Sequence, residues 1–142
     1  MIPLDFRGSI EFSLFYKKMK QLLLVGFGGF IGSIARYLVS RLNLTWNFHS
    51  IPMGTLTVNI AGSLLIGFML GIFINSNLLH SNLRLFLVVG FCGGFTTFSS
   101  FTNENFMLIQ NGQYLSALIY ISGSVILGIL SVYAGFLIAN QL

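Results

Sequence analysis

The residues able to do chemistry in this chain are few, mostly neutral, and set inside apolar runs. They are Asn59, Arg36, Glu104, the hydroxyls of Tyr120 and Ser124, and the stretch Gly90-Phe91-Cys92-Gly93-Gly94-Phe95-Thr96-Thr97-Phe98-Ser99-Ser100-Phe101. They make no nucleophile–base pair and no phosphate loop, so an enzyme is not expected. One cysteine, Cys92, with His49 and His80 cannot assemble a zinc site. What stands out is the Gly90 to Phe101 stretch. Paired glycines lose backbone entropy when ordered, and adjacent threonines crowd χ1 and offer hydroxyls that compete for backbone partners. A helix interrupted at membrane depth leaves carbonyls and amides that hydrocarbon cannot satisfy, so it survives only where protein covers it or a polar path runs past it. The chemistry this predicts is the handling of an ion by loosened main chain.

The elements that must position these residues are membrane spans. Of 142 residues, 55% are hydrophobic and 7% charged, with a mean hydropathy of +0.87, against about 25% charged in a soluble domain. The expected fold is an all-α integral membrane protein with spans over 21–42, 54–74, 83–109 and 114–140. The third exceeds the roughly 20 residues a crossing helix needs, which fits an interruption near Gly93 to Thr97. The net charge of +4 is concentrated near the start, where Asp5, Arg7, Glu11, Lys17, Lys18 and Lys20 lie. Too few basic residues remain for a nucleic-acid surface.

Residues 1–18 differ from the rest and are expected to be an extension or an upstream start, as a short interfacial helix if ordered. Residues 19–142 form one four-span domain. Residues 43–53 read as a polar turn with Trp46 at headgroup level. Gly28 and Gly32 make a small-x-x-x-small pair, with Arg36 nearly on the same face. Ser63, Gly67 and Gly71 recur every four residues below Asn59, and Tyr120, Ser124 and Gly128 repeat the spacing on the last span. Four helices are too few to enclose a pore and still pack a core, so the stripes suggest oligomerisation. From Met19 onward Lys20 and Arg84 fall on one side and Arg41 on the other, a weak bias that allows two copies inserted in opposite directions; residues 1–18 would tip the count toward termini inside. Such a pair would superpose two interrupted helices near the midplane, where their carbonyls could meet a cation.

The segments Gly28-Gly29-Phe30-Ile31-Gly32-Ser33-Ile34-Ala35-Arg36-Tyr37, Gly54-Thr55-Leu56-Thr57-Val58-Asn59-Ile60-Ala61-Gly62-Ser63 and Gly90 to Phe101 together resemble the three signatures of the CrcB/Fluc family of fluoride channels. The resemblance implies an antiparallel dual-topology homodimer in the plasma membrane, the inner membrane of a bacterium, with two fluoride pathways and a central structural sodium ion. It implies that the sodium is held by the backbone carbonyls of Gly93 and Thr96. It places Asn59, Phe98, Phe101, Tyr120 and Ser124 along the pathway, Arg36 at the vestibule, and Glu104 as the third-span acid. The chemistry agrees in kind. Fluoride is strongly hydrated, so a pore must replace its water: Asn59 offers two N–H donors, and Tyr120, Ser124 and Thr97 offer hydroxyls. The positive edges of Phe98 and Phe101 can meet an anion, and such weak donors also release it.

Each residue alone has a plainer role. Phe98, Phe101 and Tyr120 serve equally as packing aromatics, Asn59 as an interhelical hydrogen bond, the glycines as a close contact, and Arg36 as a snorkelling side chain. Glu104 is also the one carboxylate a proton-coupled exporter of small cations would need, which makes that carrier the alternative to a channel.

Overall fold

The structure, a computed structural model, describes residues 4–42, 47–48, 50–76 and 81–142. Trp46, His49 and His80 lie outside the described residues, and with them the headgroup role expected of the tryptophan.

Helix α1 runs over Leu4–Leu42, 39 residues without interruption. At 1.5 Å per residue it is about 58 Å long, nearly twice the roughly 30 Å of a hydrocarbon core. Residues 4–18 therefore continue the helix of the first span instead of forming a separate one. Extending an existing helix fixes one residue per hydrogen bond gained, and no proline lies between Pro3 and Leu42 to stop it. A short antiparallel hairpin follows, β1 Asn47–Phe48 paired with β2 Ile51–Pro52, in place of a simple turn. Helix α2 spans Met53–Asn75.

The third span is composite. Ser81 caps α3 (Asn82–Arg84) by accepting the Arg84 N–H at 3.1 Å. The helix then widens to π geometry over Leu85–Cys92 and closes as α4 (Gly93–Phe95). Thr96 and Thr97 are extended, at φ/ψ of −79/159° and −149/122°, and α5 starts again at Phe98 and runs to Gln110. A Schellman motif ends α5: Gly112 sits at φ 72°, its N–H reaches Ile109, and the Gln113 N–H reaches Leu108. Helix α6 is Tyr114–Ala139.

Four segments are long and apolar enough to cross a membrane: Gly8–Arg41, Met53–Asn75, Asn82–Gln110 and Tyr114–Ala139. They pair through small residues. Gly28 and Gly32 bring α1 onto the π-helical limb, where a Cβ on either would strike the Phe86 or Phe91 carbonyl. Gly67 and Gly135 bring α2 onto α6, where a Cβ would strike the Val132 or Leu64 carbonyl. Two stripes read from the sequence as oligomer contacts are thus occupied within the chain. Ile51, Leu108, Ala117 and Tyr120 form a small core that ties the hairpin to α5 and α6.

Because those contacts are backbone to backbone, neither side can rotate away. Gly67→Ala and Gly135→Ala should each destabilise the detergent-solubilised protein by about 2 kcal/mol, despite alanine's better helix propensity. Gly123→Ala, with nothing near its Cβ position, should stay within about 0.5 kcal/mol. Thermal unfolding followed by circular dichroism distinguishes them.

Candidate functional site

The interruption between α4 and α5 is held by one side chain from α2. Asn59 Oδ1 accepts the Thr97 N–H at 2.8 Å, and Asn59 Nδ2 donates to the Thr97 carbonyl at 3.0 Å. The amide thus replaces a neighbouring strand for one extended residue, whose peptide groups would otherwise be unmet in an apolar setting. One Asn59 N–H remains uncommitted, where the sequence suggested two for a passing ion.

The same hydrogen bonds reroute the helical ladder. In an unbroken helix the Thr97 N–H would reach the Gly93 carbonyl and the Ser100 N–H would reach the Thr96 carbonyl. Asn59 takes the first, and the Thr97 hydroxyl, capping α5, takes the second at 3.2 Å. The Thr96 N–H and hydroxyl both turn back to the Cys92 carbonyl, at 3.0 and 2.9 Å. Gly93 and Thr96 therefore each carry a carbonyl whose helical donor is engaged elsewhere. Gly93 is also exposed, with open space where a Cβ would stand.

A second cluster joins α2, α5 and α6. Glu104 Oε1 accepts from the Thr55 hydroxyl at 2.6 Å, and Oε2 accepts from the Tyr120 hydroxyl at 2.7 Å. Tyr120 is 1% exposed and Thr55 7%. The sequence singled out Tyr120 and Glu104 but not Thr55. The available signal was its place four residues before Asn59, on the same face of α2. The Tyr120 hydroxyl is consequently turned to a carboxylate and not left to solvent or to an ion. Its ring meets Phe101 edge-on, 5.1 Å between centroids at 71°, and Phe101 lies 5.8 Å from Phe98 at 41°.

These pieces face a cavity of about 470 Å³ between α1, α2 and α5, whose lining includes Arg36, Arg41, Thr55, Thr97, Ser100 and Glu104. Arg36 lines it, and its buried Nε has no hydrogen-bond partner, which leaves one donor of the guanidinium unmet. The cavity brings Arg36, Thr97 and Glu104 together; Asn59 joins through Thr97, and Tyr120 and Phe101 through Glu104. Phe98 and Ser124 are not among its lining residues. The Phe98 ring is 76% exposed at the chain's surface, while Ser124 Oγ is buried in α6 and unpartnered. Among the described residues no group of three or more His, Cys, Asp or Glu could hold a metal.

The family described as "CrcB-like protein, Camphor Resistance (CrcB)" matches residues 23–136. The chain belongs to the CrcB family. Among relatives, a protein of Chlorobium chlorochromatii named fluoride-specific ion channel FluC is 47% identical over 125 residues, covering 87% of this chain and 95% of its own. Proteins of the same name from Azobacteroides pseudotrichonymphae and Flavobacterium psychrophilum are each 42% identical, over 86% and 87% of this chain and 98% and 100% of their own. With its four crossing helices, this CrcB-family chain is a multi-pass membrane protein of a non-enzymatic family.

Asn59→Ala would strip both partners from the Thr97 peptide and should lower stability by about 2 kcal/mol or more. A melting temperature equal to that of the unsubstituted protein would show that the extended pair is held by something else.

Proposed function

We propose that the chain is a fluoride-selective channel through which cytoplasmic fluoride leaves passively across the plasma membrane, relieving its toxicity. The observation that carries this reading is the extended Thr96–Thr97 pair, clasped by Asn59 beside a cavity holding an unpartnered Arg36 donor. It occurs in a chain 47% identical to a protein named a fluoride-specific ion channel. An anion entering from water passes Arg36, which lines the cavity. Beyond it, the spare Asn59 N–H, the Ser124 hydroxyl and the edges of Phe98 and Phe101 are the donors that can stand in for hydration. None of these binds so strongly as to trap the ion. Hydrogen fluoride that enters from acidic surroundings dissociates inside, and the channel lets the anion out without coupled energy.

In this reading the interruption lies at mid-membrane, and the working unit is an antiparallel homodimer with copies inserted in opposite directions. The exposed Phe98 ring and the exposed Gly93 support a second copy there, since a lone chain leaves both uncovered. The residues at the interruption suit a sodium ion. A hard, weakly held cation takes oxygen ligands, and unwound carbonyls at broken membrane helices are such ligands. Gly93 and Thr96 would supply their carbonyls, two from each copy. The ion would fix the dimer centre and offset the partial negative charge of those oxygens. The proton-coupled cation exporter finds its single carboxylate, Glu104, already bound by Thr55 and Tyr120.

Purified protein in liposomes loaded with fluoride should discharge its gradient, read with a fluoride electrode, while chloride is retained. No efflux, or equal passage of chloride, would overturn the proposal. Phe98→Ile and Phe101→Ile should each reduce the fluoride rate at least about tenfold, a loss of roughly 1.4 kcal/mol of favourable interaction, with assembly unchanged by size-exclusion chromatography. Unaltered rates in both would remove the rings from the pathway.

A further inference from the structure

The cavity that holds Arg36 is lined by three charged residues, and their sum depends on one that neither the motifs nor the pathway uses. Arg36, Arg41 and Glu104 are the only charged side chains among its described lining residues. Two guanidinium groups and one carboxyl group leave a formal charge of one positive unit. Glu104, bonded at both oxygens by the Thr55 and Tyr120 hydroxyls, has a formal charge opposite to that of Arg36 within the same space. Without Arg41 the formal sum is zero.

Arg41 is also held in place, unlike a free surface arginine. It lies five residues beyond Arg36, about 7.5 Å further along α1 toward the end of the span. Its Nη2 donates to the Tyr37 hydroxyl at 3.0 Å, and its guanidinium carbon lies 5.3 Å from the centre of the Tyr37 ring. The Ser40 hydroxyl closes the same turn on the Tyr37 carbonyl at 2.9 Å. Tyr37 and Ser40 line the cavity too. A guanidinium bonded to its own helix in this way is held beside the cavity it lines.

We propose that Arg41, braced by Tyr37, is the outer anion-capturing residue of this cavity and sets the sign of its field. The inference rests on the channel reading and deepens it. Small anions are drawn to the mouth by the net positive charge and passed inward to the unpartnered Arg36 donor. Arg41 acts on the rate of capture, not on the choice among anions that have already reached the interruption. Its influence is therefore carried through water and is open to screening.

The test is fluoride efflux from liposomes containing the full chain with Arg41→Lys, Arg41→Gln and Arg41→Glu, measured at two ionic strengths set with potassium gluconate. At about 10 mM, where the screening length is about 30 Å, the order expected is unsubstituted and Arg41→Lys fastest, Arg41→Gln about three- to tenfold slower, and Arg41→Glu slower still. At about 1 M, where screening acts within about 3 Å, the spread should shrink to less than about twofold. Equal rates for all four proteins at low ionic strength would overturn the proposal and return Arg41 to a headgroup anchor. A loss in Arg41→Gln that persists unchanged at high salt would also overturn it, since that marks a steric or folding role. Absence of fluoride efflux from the unsubstituted protein would instead refute the channel reading, and this proposal would fall with it.

Discussion

Two extended residues, Thr96 and Thr97, in an otherwise helical third span set the terms for the rest of this structure. Thr97 cannot find a ladder partner in its own span, and hydrocarbon offers none. Asn59 supplies both halves of what is missing, one acceptor and one donor, from a helix that is distant in sequence. That pairing diverts the Thr97 N–H from the Gly93 carbonyl, and the Thr97 hydroxyl diverts the Ser100 N–H from the Thr96 carbonyl. The clasp and the exposed main-chain oxygens are therefore one feature seen from two sides.

The clasp works only if α2 is held at a fixed height against α5, and a second contact does this. Glu104 receives hydroxyls from α2 and from α6 at once. A carboxylate in such a place is tolerated because both oxygens are satisfied. The bond to Tyr120 turns its ring edge-on to Phe101, so the orientation of an aromatic on α5 is traced back to a carboxylate one turn along. The same arrangement leaves a negative charge on the wall of a cavity that also carries Arg36 and Arg41, and makes the balance among those three groups matter.

Backbone contact between helices is what makes these short polar links reach. Glycines on α1 meet carbonyls of the π-helical limb, and those on α2 and α6 meet each other's main chain. Lipid tails are as apolar as leucine, so close approach and packing, not expulsion from water, hold such pairs. The π-helical turn widens the third span where α1 presses closest.

Four membrane spans, the all-helical class and the position of the weak point were legible from apolar run length and from Gly93-Gly94-Phe95-Thr96-Thr97, because these depend on local composition alone. The Gly28–Gly32 and Ser63–Gly67–Gly71 spacings announce close contacts but not their partners: Gly135 is inconspicuous because a contact needs two surfaces, and sequence shows one at a time. Asn59 was recognisable as a polar residue out of place, yet its two bonds to Thr97 were not. Thr55 was passed over, since a threonine on an apolar helix is ordinary until Glu104 lies beside it. Residue type and spacing determined which groups existed and roughly how far apart along each helix. Which donor met which acceptor was decided only when the helices packed, because a hydrogen bond needs atoms within about 3 Å and residues 38 or 49 positions apart reach that distance only through the fold.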